Sequence, residues 1–143
     1  MDNLRSVAAT IVSHEDKYLI VKKPRKDHAW QFPQGGVEDG ESLLEGAKRE
    51  LREECGESLN VAFNKESVGE YSYLFPEDFV RHCDGKKPKH CGAKVTFFRA
   101  EFLHGDIELE VAELEDYKWV TKEALGDYFE GEYLGKVMEL LPR

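Results

Sequence analysis

The sequence predicts a single mixed α/β domain, and three observations carry the prediction. Short apolar, partly β-branched runs such as VAATIV and KVTFFRAEFL recur along the chain at the length of strands. One central stretch, from Ser42 towards Gly56, instead has the helical period. The chain's 143 residues, 41% hydrophobic and 11% aromatic, suit one globular domain with a sizeable core.

Residues 5–13 read as the first strand, residues 14–17 as a polar turn and residues 18–21 as the second strand. The basic loop KKPRKDH follows, making Lys22, Lys23 and Arg25 candidate phosphate contacts. Trp30 and Phe32 alternate ahead of Pro33, which predicts a short strand and a forced turn delivering Gly35 and Gly36. Ser42 and Glu45 form a capping box that opens the helix, and Gly56 supplies its stop. Leu44, Ala47, Leu51 and Cys55 fall on one helical line and are expected in the core. Residues 60–65 read as a connection, and residues 68–75 as an aromatic strand with Tyr71, Tyr73 and Phe75 on one face. Residues 94–103 make the strongest strand signal in the chain. An acidic stretch with Glu110, Glu113 and Glu115 precedes a strand at residues 118–120. Thr121 is expected to cap a helix reaching Phe129, and a last helix at residues 132–141 offers Val137, Leu140 and Leu141 to the sheet.

The chemistry concentrates on that central helix. Glu50, Glu53 and Glu54 stand at i, i+3 and i+4, so their carboxylates are expected to converge. Like charges gain nothing from such spacing on bare helix surface. A hard divalent cation, Mg²⁺ or Mn²⁺, reverses that balance because it takes oxygen ligands and shares them with phosphates. Arg49 is placed to hold the carboxylates through forked hydrogen bonds.

A net charge of −9 argues against binding nucleic acid over a broad basic surface. It leaves open a nucleotide or an RNA end whose phosphates are bridged by metal. The apolar runs are strand-length, well short of the roughly 20 residues of a membrane span, so a cytoplasmic protein is the expectation, or a mitochondrial one if an N-terminal segment is missing. Cys55, Cys83 and Cys91 do not make a disulfide framework. His82-Cys83 and His90-Cys91 flank a polar turn and could bring soft ligands together for zinc, but the spacing matches no zinc pattern and a solvated loop is the favoured reading.

The stretch GGVEDGESLLEGAKRELREECG resembles the signature of the Nudix hydrolases, G-x5-E-x7-R-E-U-x-E-E-x-G-U, where U is a bulky aliphatic residue. Gly35, Glu41, Arg49, Glu50, Leu51, Glu53, Glu54 and Gly56 fall in register, and the final U departs as Glu57. The resemblance implies an α/β/α sandwich with a mixed sheet and one central catalytic helix. It also implies metal-dependent hydrolysis of a phosphoanhydride. The implied metal ligands are Glu50, Glu53, Glu54 and the Gly35 carbonyl. Glu53 or a downstream glutamate, Glu113 or Glu115, becomes the base that activates water. Arg49 and Glu41 become supports for the ligands. WQFPQGG is similar to two branches, the diadenosine polyphosphate hydrolases and the bacterial RNA pyrophosphohydrolases. That similarity implies a dinucleoside polyphosphate or a 5′-phosphorylated RNA end as substrate, handled by a monomer or homodimer. In the first branch an aromatic in a Tyr-x-Phe-Pro segment stacks on the base, which points to Tyr73 or Phe75 in YSYLFPEDF. A phosphate-binding lysine of that branch stands near Lys94. The C-terminal half, GAKVTFFRA and then KWVTKEALGDYFEGEYLGKVMELL, also resembles a Nudix-derived protein of the mitochondrial ribosomal large subunit. A silent structural component of that ribosome is therefore the alternative expectation.

Overall fold

The computed structural model describes residues 4–23, 30–74, 92–110, 114–129 and 131–141. Its centre is β1 (Leu4–His14), a run of apolar and small residues buried from Val7 to Val12. A strand buried this continuously must be covered on both faces, and its side chains divide accordingly. Val7, Ala9 and Ile11 join one core cluster. Ala8 and Val12 join the clusters on the other face.

One sheet of seven strands is built outward from β1. β6 (Gly92–His104) runs parallel to it in continuous register from Leu4↔Gly92 to Ser13↔Glu101. β2 (Lys17–Lys22) folds back from its far end, and β4 (Gln34–Gly36) pairs with its first half. β3 (Trp30–Gln31) and β7 (Asp116–Thr121) both pair with β2. β5 (Asn60–Leu74) closes the other side against β6. Residues 60–65, expected as a connection, are thus the first third of a long strand. Val61 and Phe63 alternate inward and pack on the core of the α1 face, while Asn60, Ala62, Asn64 and Lys65 are exposed; backbone pairing to β6 continues through them with register shifts around Ser67.

Among the described residues, two α-helices cover the two faces. α1 (Leu43–Cys55) buries Ala47, Leu51 and Cys55, as its apolar line requires, while Leu44 is only partly covered. The Ser42–Glu45 capping box is present in both directions. Gly56 ends the helix at φ 93, a backbone conformation that favours glycine. Burial pushes the Cys55 thiol up to about 12, with the neighbouring Glu54 charge adding to the effect, so it acts as a small core residue. α2 (Gly131–Leu140) covers the opposite face with Val137, and Leu141 follows it into the same core. The segment after β7 is a 3₁₀ helix, Glu123–Asp127, and not the longer helix expected. Thr121 does accept the Ala124 amide (3.3 Å), but Gly126 and the short span favour the tighter turn. Among the described residues, no helix is long and apolar enough to cross a membrane.

Phe32 keys the α2 face, fully buried between Phe97 and Phe129 with ring centroids 6.4 and 5.2 Å away, both edge-on. Its amide donates to the Tyr133 hydroxyl (3.3 Å), and burial raises the pKa of that hydroxyl. Phe32→Ala is expected to cost about 3–5 kcal/mol of stability, read as a lower urea midpoint at unchanged slope.

Candidate active site

The site is assembled where β4 passes beneath α1, and Arg49 organises it. Its Nε and Nη2 donate to the two oxygens of Glu41 (2.7 and 3.1 Å), and Nη2 also donates to the Gly36 carbonyl (2.8 Å). Nη1 donates to Glu50 (2.8 Å) and Glu53 (3.2 Å). These five contacts use the whole donor fork of a guanidinium. The hydrogen bond from Arg49 is the first reason the Glu41 carboxyl lies below its ordinary range. Reciprocally, Glu41 is the first reason the Arg49 proton is held more tightly than usual. Glu41 also accepts the Glu38 amide (3.0 Å), tying the loop to the helix.

The three helix carboxylates do not share one point. Glu50 and Glu53 lean to Arg49, whereas Glu54 is only 1% exposed and turns the other way. One of its oxygens accepts the Gln34 amide (3.1 Å), and the other accepts Lys23 Nζ (3.0 Å). Glu54 stands seven residues after Ala47 and three after Leu51, so it lies on the buried stripe itself. Burial pushes its carboxyl up to about 7, opposed chiefly by the Lys23 charge. Among the described residues no group of three acidic, histidine or cysteine side chains forms a ready metal cage, because mutual repulsion and the two cations hold these carboxylates apart.

β4 explains its own glycines. A Cβ on Gly35 would overlap the Glu50 carboxylate, and one on Gly36 would overlap the Arg5 guanidinium. Successive residues face opposite sides of the sheet, so the Gly-Gly pair admits one charged group on each face. The hydrogen-bond register also corrects the expected carbonyl ligand. Val37 N–H donates to the Ser6 carbonyl and Thr10 N–H to the Pro33 carbonyl, so by antiparallel alternation Ala8 and Gly35 are the bonded pair between them. The Gly35 carbonyl therefore points into the sheet, towards β1. The carbonyls of Gln34 and Gly36 turn to the outer side, where Arg49 takes that of Gly36 and Glu54 lies beside Gln34.

A divalent cation fits this place. Glu50 and Glu54 of α1 both reach β4, at Gly35 and at Gln34, and with the outward Gln34 carbonyl they are hard oxygen donors; Glu54 is already partnered by a positive group, the Lys23 ammonium.

The remaining candidates divide. Lys22 pairs with Glu115 (3.2 Å), whose amide donates to the Lys22 carbonyl (2.8 Å), so that glutamate is held next to the site. The preceding acidic stretch runs across the end of α1, where the Glu108 and Glu110 amides donate to the Cys55 and Glu54 carbonyls (2.8 and 3.1 Å). Lys94 pairs with Glu70 (3.3 Å) on the α1 face of the sheet. Tyr73 stacks on Tyr71 (5.8 Å, 29°) on the α2 face, so Lys94 and Tyr73 are not brought together. Arg25, Phe75, Glu113 and the His82-Cys83 and His90-Cys91 pairs lie outside the described residues. Arg5 and Gln34 were not singled out as site residues, since a lone cation and a lone amide carry no spacing signal.

Two outcomes follow from these contacts. Arg49→Lys keeps the charge but loses the fork, and is expected to lower stability by on the order of 2 kcal/mol, measured by urea unfolding at neutral pH. Glu54 binds its proton more tightly folded than unfolded, so its contribution is full below the ordinary 4.5 and is lost as pH rises through about 7. With chelator present, the Glu54 contribution to stability is expected to fall by roughly 3 kcal/mol across that window, and Glu54→Gln should flatten that slope in pH-resolved unfolding curves.

Comparison with known proteins matches the geometry. The family model described as NUDIX domain matches residues 2–141. The RNA pyrophosphohydrolase of Pelagibacter ubique (strain HTCC1062) is 33% identical over 130 residues, covering 87% of this chain and 80% of that protein. The RNA pyrophosphohydrolase of Campylobacter jejuni (strain RM1221) is 34% identical over 127 residues, covering 81% and 76%. Among solved structures, the C. elegans Ap4A hydrolase binary complex superposes with a TM-score of 0.73 at 17% identity, covering 96% of this chain and 94% of that one. A NUDIX hydrolase from Nitrosomonas europaea gives 0.69 at 19% identity, covering 96% and 87%. These two likenesses bear on the fold, which is the expected α/β/α sandwich. Nudix hydrolases generally need a divalent cation. The relatives carry enzyme names and lend no support to a ribosomal component. The chain belongs to the Nudix family, as a pyrophosphohydrolase that cleaves phosphoanhydride bonds.

Proposed function

We propose that the chain hydrolyses the 5′-terminal phosphoanhydride of RNA or the polyphosphate bridge of a dinucleoside polyphosphate, using Mg²⁺ or Mn²⁺. The observation that carries this is the carboxylate array around Arg49, ranged along the open edge of a strand that offers it a backbone carbonyl. The names of the RNA pyrophosphohydrolase relatives support the first substrate, and that of the C. elegans Ap4A hydrolase supports the second.

In this reading Glu50, Glu54 and the Gln34 carbonyl hold the cation, with Glu53 as a further ligand or as the base. The cation supplies charge neutralisation of the phosphates around the bond that breaks. Glu53 has a half-exposed side chain, so it can meet both water and substrate, and it takes the proton of the attacking water. Arg49 and Glu41 act through other groups, fixing the orientation of Glu50 and Glu53. Lys23, whose ammonium lies against Glu54, would be a phosphate contact, as would Lys22 beside it at the end of β2. Glu115, paired with Lys22, is a downstream acid held beside this arrangement, and Glu113 lies two residues before it in sequence; either can assist the base. Tyr73 or Phe75 offers the stacking surface for a base, and Lys94 a more distant contact to phosphate.

The test is product release by the purified chain with Mg²⁺ or Mn²⁺ from triphosphorylated RNA, diadenosine tetraphosphate, nucleotide sugars and nucleoside triphosphates. Glu53→Gln should lower kcat by roughly 10²- to 10⁴-fold with an unchanged melting temperature. Turnover unaffected by that substitution would remove Glu53 from the chemistry, and highest kcat/KM on a nucleotide sugar would overturn the substrate assignment.

A further inference from the structure

We propose that Arg5 is a substrate-binding residue of this site, gripping the phosphate next to a nucleoside whose base lies against Tyr73. The inference rests on the substrate reading above and adds a residue and a face of the sheet to it. Arg5 shares the α2 face with Val7 and Ala9, and its guanidinium lies against the bare Cα of Gly36. Among the described residues it has no hydrogen bond or ion pair. The other cations of the site are committed: Lys22 to Glu115, Lys23 to Glu54, Lys94 to Glu70, and Arg49 to its carboxylates. An arginine seated on backbone with its donors unspent is preorganised for a tetrahedral anion.

The register supplies the rest of the ligand. Arg5 in β1 and Tyr73 in β5 both pair with Ala93 of β6, so they flank its small side chain on one face. Two interstrand spacings separate their Cα atoms by about 10 Å, a gap that a nucleotide can span with its base on the ring and its phosphate at the arginine. Gln34 shares this face with Gly36, two residues on. Its Oε1 is buried without a hydrogen-bond partner among the described residues, and such an acceptor calls for a donor, which a nucleoside hydroxyl or amine provides. Glu50 stands on the opposite face of β4, so a nucleotide held by Arg5 meets the carboxylates by passing its phosphates around that strand's open edge.

AMP is the appropriate probe because it has a base and a phosphate but no anhydride to cleave. Calorimetric titration of the intact chain should show AMP bound more tightly than adenosine. Arg5→Met should weaken AMP by about tenfold or more and leave adenosine unchanged. Arg5→Lys should fall between, Gly36→Ala should reproduce the loss by displacing the guanidinium, and the exposed Arg52→Met should have no effect. AMP bound no better than adenosine by the unaltered chain, or equally well by Arg5→Met, overturns the proposal. Arg5-dependent AMP binding in a chain that cleaves neither RNA ends nor dinucleoside polyphosphates leaves Arg5 standing and removes the substrate reading. Cleavage of those substrates with AMP binding indifferent to Arg5 does the reverse.

Discussion

Five hydrogen bonds from one guanidinium fix where α1 sits over the sheet. Arg49 joins the loop through Glu41, the strand through the Gly36 carbonyl and the helix through Glu50 and Glu53. Without that cation, three carboxylates and a backbone carbonyl would face one another beside the helix with nothing to hold them. The capping box at Ser42 and the apolar line of Ala47, Leu51 and Cys55 make α1 a helix and bury it, but neither would stop it from sliding or turning. The fork sets the last degree of freedom, because its donors are planar and fixed in direction.

β4 is short, yet it separates two chemistries. Its α1 side receives the Glu50 carboxylate, and its α2 side receives the Arg5 guanidinium. Both approaches need a residue without a side chain, so the adjacent glycines are explained by packing alone. The neighbouring acid, Glu54, is buried against the same strand, and Lys23 offsets the desolvation of its charge.

Much of this was legible from the chain itself. The box spacing located Glu41, Arg49, Glu50 and Glu53 together, because a helix converts sequence distance into angle without outside help. The strands of β1, β2 and β6 were visible as apolar runs for the same local reason. What escaped notice depends on partners far away in sequence. Helical spacing sets Glu54 beside Glu50 and Glu53, yet it also shares the stripe of Ala47 and Leu51, and its burial is made tolerable by Lys23, a partner that spacing does not reveal. The carbonyl that turns to the outer side of β4 next to Glu54 is that of Gln34 and not that of Gly35, because carbonyl direction follows the pairing with β1. The first third of β5 reads as a loop because its apolar alternation is only Val61 and Phe63 between two asparagines, and their packing and the pairing with β6 come from residues far away in sequence.

The acidic stretch after β6 closes the end of α1 with main-chain amides, those of Glu108 and Glu110. Any residue other than proline can supply an amide. Ile107 and Leu109 pack on the core, but the exposed side chains of Glu108 and Glu110 are released from the duty of ending the helix, and these can be exchanged from one descendant to another while the helix terminus is preserved. A segment so attached is a natural place for new substrate preferences to arise, since innovation in its exposed side chains leaves the scaffold's geometry intact.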